Sequence, residues 1–266
     1  MTLLEAVILG FVQGITEFLP VSSSGHLVLG QALFGIELPG VAFEVTVHLA
    51  TLCAVCWEFR ARLASLVRGA WSRDRRSLAY IGLLAVATLP AAAVGAGLGD
   101  ALEPAFERPV IAAAMLLLTG VLVWSIRYFS RRATRGRPTL AGAVGIGLAQ
   151  ALAILPGISR SGSTVAAATA AGVDPRRAAE FSFLLSIPAI AGAAVLQAPA
   201  LGEAGAVLGS VPLGAAFLTA ALSGVLAIRI FLRMLELRVF HRFAWYCWIA
   251  GGAYLAAAAL WPALRG

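Results

Sequence analysis

The chain has 266 residues, of which 60% are hydrophobic and only 12% are charged. This composition excludes a soluble globular domain and is typical of a protein that crosses a membrane several times. A net charge of +7 would suggest nucleic acid as the partner of a soluble protein, but here all 20 basic residues are arginines and most lie in short loops between apolar segments. We therefore expect membrane lipids and no nucleic acid as partners.

The chain begins with a short apolar helix over residues 1–12, a broken polar segment over 13–26 and a second apolar piece over about 27–36. Neither piece reaches the ~20 residues that an apolar helix needs to cross a bilayer, so we predict a re-entrant hairpin. Three spans are predicted to follow, at 41–59, 78–99 and 110–129.

The second half repeats this order. Gln150 corresponds to Gln13, Pro156 to Pro20 and Ser159 to Ser22, with an offset of 137 positions at the glutamine and serine and 136 at the proline. The matching elements are a helix over 140–155, a break over 156–162, a return helix over 163–172, and spans over roughly 178–198, 213–233 and 243–262. A broken segment duplicated in two halves indicates a site at their interface.

Loop charges predict the topology. Arginines concentrate near residues 60–77, 130–139, 173–177 and 234–242, whereas the loops near 100–109 and 199–212 carry Glu103, Glu107 and Glu203. The positive-inside rule assigns the first four loops to the cytoplasm and the other two, with both termini, to the outside. The two hairpins then enter from opposite sides. We predict an all-α polytopic membrane protein with one integral domain, made of inverted-topology repeats over 1–135 and 136–266, each a re-entrant helical hairpin plus three transmembrane helices.

The first break carries an acid beside an amide. Gln13 and Glu17 are four residues apart and share one face of a helix. Their oxygens are candidate ligands for a hard cation, with a substrate phosphate completing the site. Alternatively, Glu17 hydrogen-bonds the serine loop that follows. A buried carboxylate without a role is costly, which favours metal binding or acid–base chemistry.

Three consecutive hydroxyls, Ser22, Ser23 and Ser24, precede Gly25 and His26. Backbone N–H groups that open a helix attract anions, so this run is a candidate phosphate site. A serine becomes a nucleophile when a base lies within hydrogen-bond reach, and His26 is a candidate base for Ser23. The alternatives are that the serines only cap a helix and that His26 is a satisfied polar residue of the bundle.

Arg160 is the arginine of the second break. A guanidinium at membrane depth needs an anion, and its planar fork suits phosphate. The hydroxyls predicted to assist it are those of Ser159, Ser161, Ser163 and Thr164. The alternative is an internal ion pair between Arg160 and Glu17.

Weaker candidates lie on the spans. Glu44 and His48 are four residues apart on the first span and either line a cavity or bond each other. Glu180 lies near a predicted cytoplasmic end, where a structural pair with Arg176 or Arg177 is expected.

The two breaks resemble those of the undecaprenyl-diphosphate phosphatase family, the membrane enzymes associated with bacitracin resistance. The resemblance rests on Gln13, Glu17 and the run 20–26 in the first break, on the run 156–164 in the second, and on the length and repeat order of the whole chain. It implies hydrolysis of a C55 prenyl diphosphate at an outward-facing site in the bacterial plasma membrane, which recycles a lipid carrier for cell-wall polymers. It also implies a divalent cation, Mg²⁺ or Ca²⁺.

In that scheme Arg160 and the helix N-termini hold the diphosphate, and Glu17 with Gln13 engages the cation or a proton. Ser23 is the nucleophile with His26 as its base or as general acid, or His26 is the nucleophile and Ser23 a phosphate ligand. Both assignments are open at this point.

A different class of function shares the architecture. Inverted repeats with broken helices also build transporters and flippases of anionic lipids, but such a protein needs an anion clamp and no nucleophile with a base. A purely structural protein would not explain charge in both breaks. Runs of small residues at 95–97 and 256–259 permit close packing within one chain or in a homodimer.

Overall fold

The computed structural model describes residues 1–34, 41–197 and 209–261, and the described chain is all-α. Its helices, numbered in chain order, are α1 Leu3–Phe18, α2 Ser23–Phe34, α3 Val41–Glu58, α4 Arg60–Trp71, α5 Arg75–Phe106, α6 Pro109–Phe129, α7 Leu140–Leu152, α8 Arg160–Ala170, α9 Pro175–Leu196, α10 Ser210–Glu236 and α11 Phe243–Leu260, the last preceded by a 3₁₀ turn over Phe240–Arg242.

Within the described residues, five helical segments are long and apolar enough to cross a membrane: Arg75–Gly99, Pro109–Phe129, Pro175–Leu196, Ser210–Glu236 and Phe240–Leu260. The prediction of an all-α chain with several potential spans is confirmed. The first predicted span, 41–59, is the 18-residue helix α3, which is not among the five.

Both breaks are positioned differently from the prediction. α1 continues through Gln13 to Phe18 and does not end at residue 12, because the Gln13 amide bonds the Glu17 carboxylate one turn later. The helix stops before Leu19, since a residue that precedes proline is disfavoured in the α region. In the second half, α7 ends at Leu152 and α8 already begins at Arg160, so the break is 153–159.

Two predicted loops are partly helical. The arginine-rich segment 60–77 contains α4, because its arginine, alanine and leucine residues are good helix formers. After it, the Asp74 carboxylate accepts from the backbone N–H of Ser77 at 2.9 Å and caps α5. α5 then passes Pro90 and Pro104 and reaches into the predicted loop 100–109. The predicted loop 199–212, with Glu203, lies largely outside the described residues.

Two short helices, α1 and α7, each pack on a long helix from the other half of the chain. α1 packs chiefly on α10, and α7 packs on α5. Gly10 of α1 faces the carbonyl oxygen of Ala216, and Gly147 of α7 faces that of Ala87. A Cβ added at Gly147 would lie only 2.6 Å from the Ala87 oxygen. These glycines allow the backbones to approach closely, as in other tightly packed membrane helices. Gly10 and Gly147 are 137 positions apart, the offset found in the sequence.

The four arginine-rich segments lie together at one end of the bundle. Glu180 at the start of α9 accepts from Arg62 of α4 at 2.7 Å and from Arg177 at 3.0 Å, so its predicted pairing with Arg177 is confirmed. Arg176 pairs with Glu236 of α10 at 3.1 Å. The segment that follows α6 joins them through the bond from Arg135 N–H to the carbonyl oxygen of Gly172.

Candidate active site

The first break is a tight turn that presents Ser23 at the start of α2. Ser22 has a φ of 65°, in the left-handed region that non-glycine residues seldom adopt. Its hydroxyl accepts from the backbone N–H of Gly25 at 3.2 Å, and it lies 3.3 Å from the Ser24 hydroxyl. Ser22 therefore caps α2. The uncommon backbone conformation falls on the residue before Ser23, a pattern found at functional sites.

The second break repeats these contacts. The Ser159 hydroxyl accepts from the backbone N–H of Gly162 at 3.1 Å, and it lies 3.2 Å from the Ser161 hydroxyl. Gly157, two residues earlier, has a φ of 93°. Ser159, Ser161 and Gly162 each follow the corresponding residue of the first break by 137 positions. The same capped helix start is thus formed twice.

The two breaks lie against each other. A Cβ on Gly25 would lie 2.9 Å from the Cα of Gly157. The Ser161 hydroxyl donates to the carbonyl oxygen of Leu19 at 3.3 Å. A guanidinium nitrogen of Arg160 donates to Glu17 Oε1 at 2.9 Å. Polar residues that are 143 positions apart in sequence therefore form one site.

Glu17 is the centre of that site, and its side chain is only 6% exposed. Besides the bond from Arg160 to Oε1, its Oε2 accepts from the Ser23 hydroxyl at 2.8 Å and from the Gln13 amide at 3.1 Å. His48 Nε2 lies 3.7 Å from the same Oε2. The Glu17 carboxylate is thus placed to take a proton from Ser23, and the alternative of an internal Arg160–Glu17 pair is also formed.

His26 has other partners. Its Nδ1 lies 2.8 Å from the carbonyl oxygen of Ser22, so Nδ1 carries a hydrogen and donates. Its Nε2 lies 2.6 Å from the Tyr246 hydroxyl of α11, and the two rings stack at 5.6 Å. Both ring nitrogens are therefore engaged with groups other than Ser23. In this arrangement His26 ties the turn at Ser22 to α11.

A cavity of about 390 Å³ opens between the breaks, α3 and α9. Its polar wall is formed by Glu17, Ser22, Ser23, Ser24, Glu44, His48, Ser159 and Arg160. Its apolar wall includes Leu27, Val28, Val45, Phe106, Ile154, Ile158 and Ile190. Phe106 and Gln197, which also line it, lie at the C-terminal ends of α5 and α9, next to the two loops predicted to be outside. The cavity can accept a ligand with a charged head and an apolar tail.

The remaining predicted phosphate residues of the second break bond within the protein. Ser161 donates to Leu19 as described, and the hydroxyls of Ser163 and Thr164 donate to the carbonyl oxygen of Arg160 at 3.1 and 2.7 Å. Thr164 also lies 2.6 Å from the Ser182 hydroxyl of α9. These three hydroxyls brace α8, whereas Ser159 and Arg160 face the cavity.

Two residues that support the site, Thr119 and Tyr246, were not predicted from the sequence. The Thr119 hydroxyl of α6 donates to the carbonyl oxygen of Gly157 at 2.7 Å and accepts from Ser159 N–H at 2.9 Å, which fixes the second break. The other is Tyr246. Neither lies near a break in sequence, and each is one hydroxyl on an apolar helix, so no local pattern marks it.

The predicted cation ligands are only partly available. Gln13 donates its amide nitrogen to Glu17, and its buried Oε1 has no hydrogen-bond partner in the described part of the chain. Within those same residues, no group of three histidine, cysteine or acidic side chains suited to a metal is found. Glu17 and Glu44 both line the cavity beside the serine hydroxyls. Such an oxygen set fits Mg²⁺ or Ca²⁺ when substrate phosphates supply further ligands.

Known proteins match this chain over nearly its whole length. The model of the family described as "Bacitracin resistance protein BacA" matches residues 6–253. A protein of Desulfosudis oleivorans named "Undecaprenyl-diphosphatase" is 43% identical over 95% of this chain and 97% of its own length. Proteins of the same name from Desulfatibacillum aliphaticivorans and Geobacter sulfurreducens are 40% and 39% identical, each over 96% of this chain and 98% of their own length.

Proposed function

The chain belongs to the BacA family of bacitracin resistance proteins, and from this premise we propose that it hydrolyses undecaprenyl diphosphate to undecaprenyl phosphate and inorganic phosphate. The relatives at about 40% identity carry the name undecaprenyl-diphosphatase. The observation that carries the proposal is the Ser23 hydroxyl held 2.8 Å from the Glu17 carboxylate, with Arg160 on the other oxygen of that carboxylate. A nucleophile, a base and an anion-binding group then share one cavity.

The reaction begins at Ser23. As its oxygen attacks the terminal phosphorus, the hydroxyl proton moves to Glu17 Oε2, and the bond from phosphorus to the bridging oxygen breaks with its electron pair on the departing prenyl phosphate. A water molecule then adds its hydroxide to the phosphorus of the phosphoserine, and the bond from phosphorus to the Ser23 oxygen breaks, which releases inorganic phosphate. The other proton of that water returns to the Ser23 oxygen, while the proton first taken by Glu17 leaves to solvent. General base catalysis of this kind contributes roughly 10²- to 10⁴-fold.

Arg160 and the two helix starts hold the diphosphate. The guanidinium lines the cavity with its side chain 15% exposed and retains free donors for phosphate oxygens. α2 and α8 begin at Ser23 and Arg160, which both line the cavity, and helix N-termini favour anions. Phosphoryl transfer depends mostly on positioning and charge neutralisation, which these groups supply.

A divalent cation, Mg²⁺ or Ca²⁺, is part of the proposal. Glu17, supported by Gln13, and Glu44 are the residues that would hold it together with the substrate phosphates. When bound, the cation would neutralise charge on the diphosphate and its leaving group.

His26 is assigned to the geometry of the nucleophile. Its ring holds the carbonyl oxygen of Ser22 and the hydroxyl of Tyr246, so it stabilises the turn that presents Ser23. The rival, in which His26 itself is the nucleophile, predicts a phosphorylated imidazole.

The architecture proposed for this chemistry is a pair of inverted repeats, 1–135 and 136–266, whose hairpins meet at the site. The packing of α1 on α10 and of α7 on α5 supports this architecture, because each short helix contacts a long helix of the other repeat. The matching helix caps at Ser22 and Ser159 also support it. The arginine-rich end faces the cytoplasm in this proposal. The cavity then faces outward at the plasma membrane, with its apolar wall toward the prenyl chain.

The test is phosphate release from C55 diphosphate by the purified protein, with and without a chelator. Wild type should release phosphate in a cation-dependent manner, whereas Ser23→Ala and Arg160→Ala should lose at least about 100-fold. Ser72→Ala and Arg68→Ala, at the arginine-rich end, are matched controls that should retain activity. A folded wild type that releases no phosphate with any cation would refute the proposal and favour lipid transport.

A further inference from the structure

The arginine-rich end of the bundle contains a part with acidic partners and a part without them. The acidic residues that bind arginines or cap helices there are Glu58, Asp74, Asp174, Glu180 and Glu236. In contrast, residues 108–173 and 237–266 contain no aspartate or glutamate. Arg127 in the last turn of α6 and Arg242, the residue before α11, form no ion pair within the described residues.

Arg127 is held by an aromatic cluster between α6 and α11. Its guanidinium carbon lies 4.7 Å from the centre of the Trp124 ring and 5.4 Å from that of Tyr128. Trp124 packs edge-on against Trp245, with ring centres 5.9 Å apart, and Trp245 packs in the same way against Trp248 at 5.3 Å. Stacking of this kind orients a guanidinium without using its N–H donors. The donors of Arg127 can therefore bind an anion.

His241 and Arg242 bring further basic groups to this cluster. The His241 ring, in the 3₁₀ turn before α11, packs edge-on against Trp124 with ring centres 5.4 Å apart. Arg127 and Arg242 both lie within electrostatic reach of that ring. Two guanidinium groups that approach the same ring repel each other, and an anion between them offsets the repulsion. Because neither segment supplies a carboxylate, an anion from outside the protein would complete the cluster.

We propose that Arg127 and Arg242 bind the phosphate of an anionic phospholipid whose acyl chains lie along α11. Trp245 and, one turn later, Ile249 are 56% and 68% exposed, so apolar surface continues from the cluster along the helix. Tryptophan and tyrosine rings are enriched at the level of lipid head groups, and basic sites between helices at the cytoplasmic side bind anionic head groups. The cavity between the breaks is lined by a different set of the described residues, so this lipid is distinct from the diphosphate substrate.

Native mass spectrometry of the full chain released from detergent measures the bound lipid. Phosphatidylglycerol and phosphatidylcholine with the same acyl chains are titrated onto wild type, onto Arg127→Gln/Arg242→Gln and onto the control Arg68→Gln/Arg75→Gln, which removes two exposed arginines from the same end. An arginine at an anionic head group contributes about fivefold in affinity, so the first variant should bind phosphatidylglycerol about 25-fold more weakly than wild type. The control should stay within about threefold of wild type, and phosphatidylcholine should bind all three proteins equally.

Unchanged affinity for phosphatidylglycerol in Arg127→Gln/Arg242→Gln would overturn the proposal. An equal loss in the control would also overturn it, because the general charge of this end would then attract the lipid. Arg242→Gln alone, at an exposed position, should lose about fivefold and takes the place of the double variant if that protein does not fold.

A second arm separates the lipid from a free anion. Inorganic phosphate at the concentration of the lipid should leave phosphatidylglycerol bound, whereas displacement by phosphate would overturn the lipid assignment. These measurements do not depend on phosphate release by the protein. Failure of the lipid site and failure of the proposed function are therefore seen separately.

Discussion

Glutamine at position 17 would remove the negative charge at the centre of the site and leave the shape almost unchanged. The Arg160 side chain is 15% exposed, and within the described residues its other hydrogen bond is a weak one of 3.5 Å to the carbonyl oxygen of Ser182. Glu17→Gln would therefore leave a largely buried guanidinium without its anion, at a cost of about 3 kcal/mol, the lower end for a broken buried pair because the cavity admits solvent. Arg160→Gln should cost a similar amount.

The double variant Glu17→Gln/Arg160→Gln contains no unpaired charge. Its free energy of unfolding should be roughly 1.5–3 kcal/mol higher than the value expected if the losses in the two single variants simply added, a coupling typical of directly bonded residues. Phosphate release should nevertheless stay at least about 100-fold below wild type, because neither base nor clamp is restored. Unfolding in mixed micelles with SDS measures the free energy of unfolding, and a phosphate-release assay measures the activity. Additive stabilities, or activity recovered by the double variant, would refute this account of the pair.

Three further substitutions test the surrounding structure. Gln150→Leu should raise the free energy of unfolding by about 1–3 kcal/mol with activity retained, because both amide atoms of Gln150 are buried without partners among the described residues; a loss of stability on unfolding would reveal a hydrogen bond there. Gly157→Ala should destabilise by at least about 1–2 kcal/mol, since the residue has a positive φ and a Cβ would meet the carbonyl oxygen of Ala112; an unchanged unfolding midpoint would contradict this. Tyr246→Phe should reduce kcat about tenfold by releasing His26, and full kcat would show that the Tyr246–His26 bond is dispensable.

The sequence located the site because its chemistry is local and duplicated. The charged and hydroxyl residues of both breaks stand out within apolar surroundings, and the matched spacing indicated that they meet. The contact of Glu17 with Arg160, given as one alternative, is formed. The extents of the breaks were predicted less well, since the polar residues Gln13 and Glu17 continue α1 through a bond one turn apart.

The partners of single hydroxyl and imidazole groups could not be predicted. The spacing of Ser23 and His26 suggested a nucleophile with its base, but at the start of α2 the ring reaches back to the carbonyl oxygen of Ser22 and across to Tyr246. For His48, both a cavity position and a bond within the helix were considered, and both occur, although the bond is to the backbone of Glu44. Such outcomes depend on how distant helices pack, which local spacing does not encode.

The most direct test of the central claim is to trap the covalent intermediate. Wild-type protein would be mixed with C55 diphosphate labelled at its terminal phosphate, quenched within milliseconds in acid or in alkali, and mapped by peptide mass spectrometry. We predict label on Ser23 that survives acid and is lost in alkali, as for a phosphoserine, and no label in Ser23→Ala. Label on His26 that is lost in acid and survives alkali would contradict the assignment of Ser23 as nucleophile.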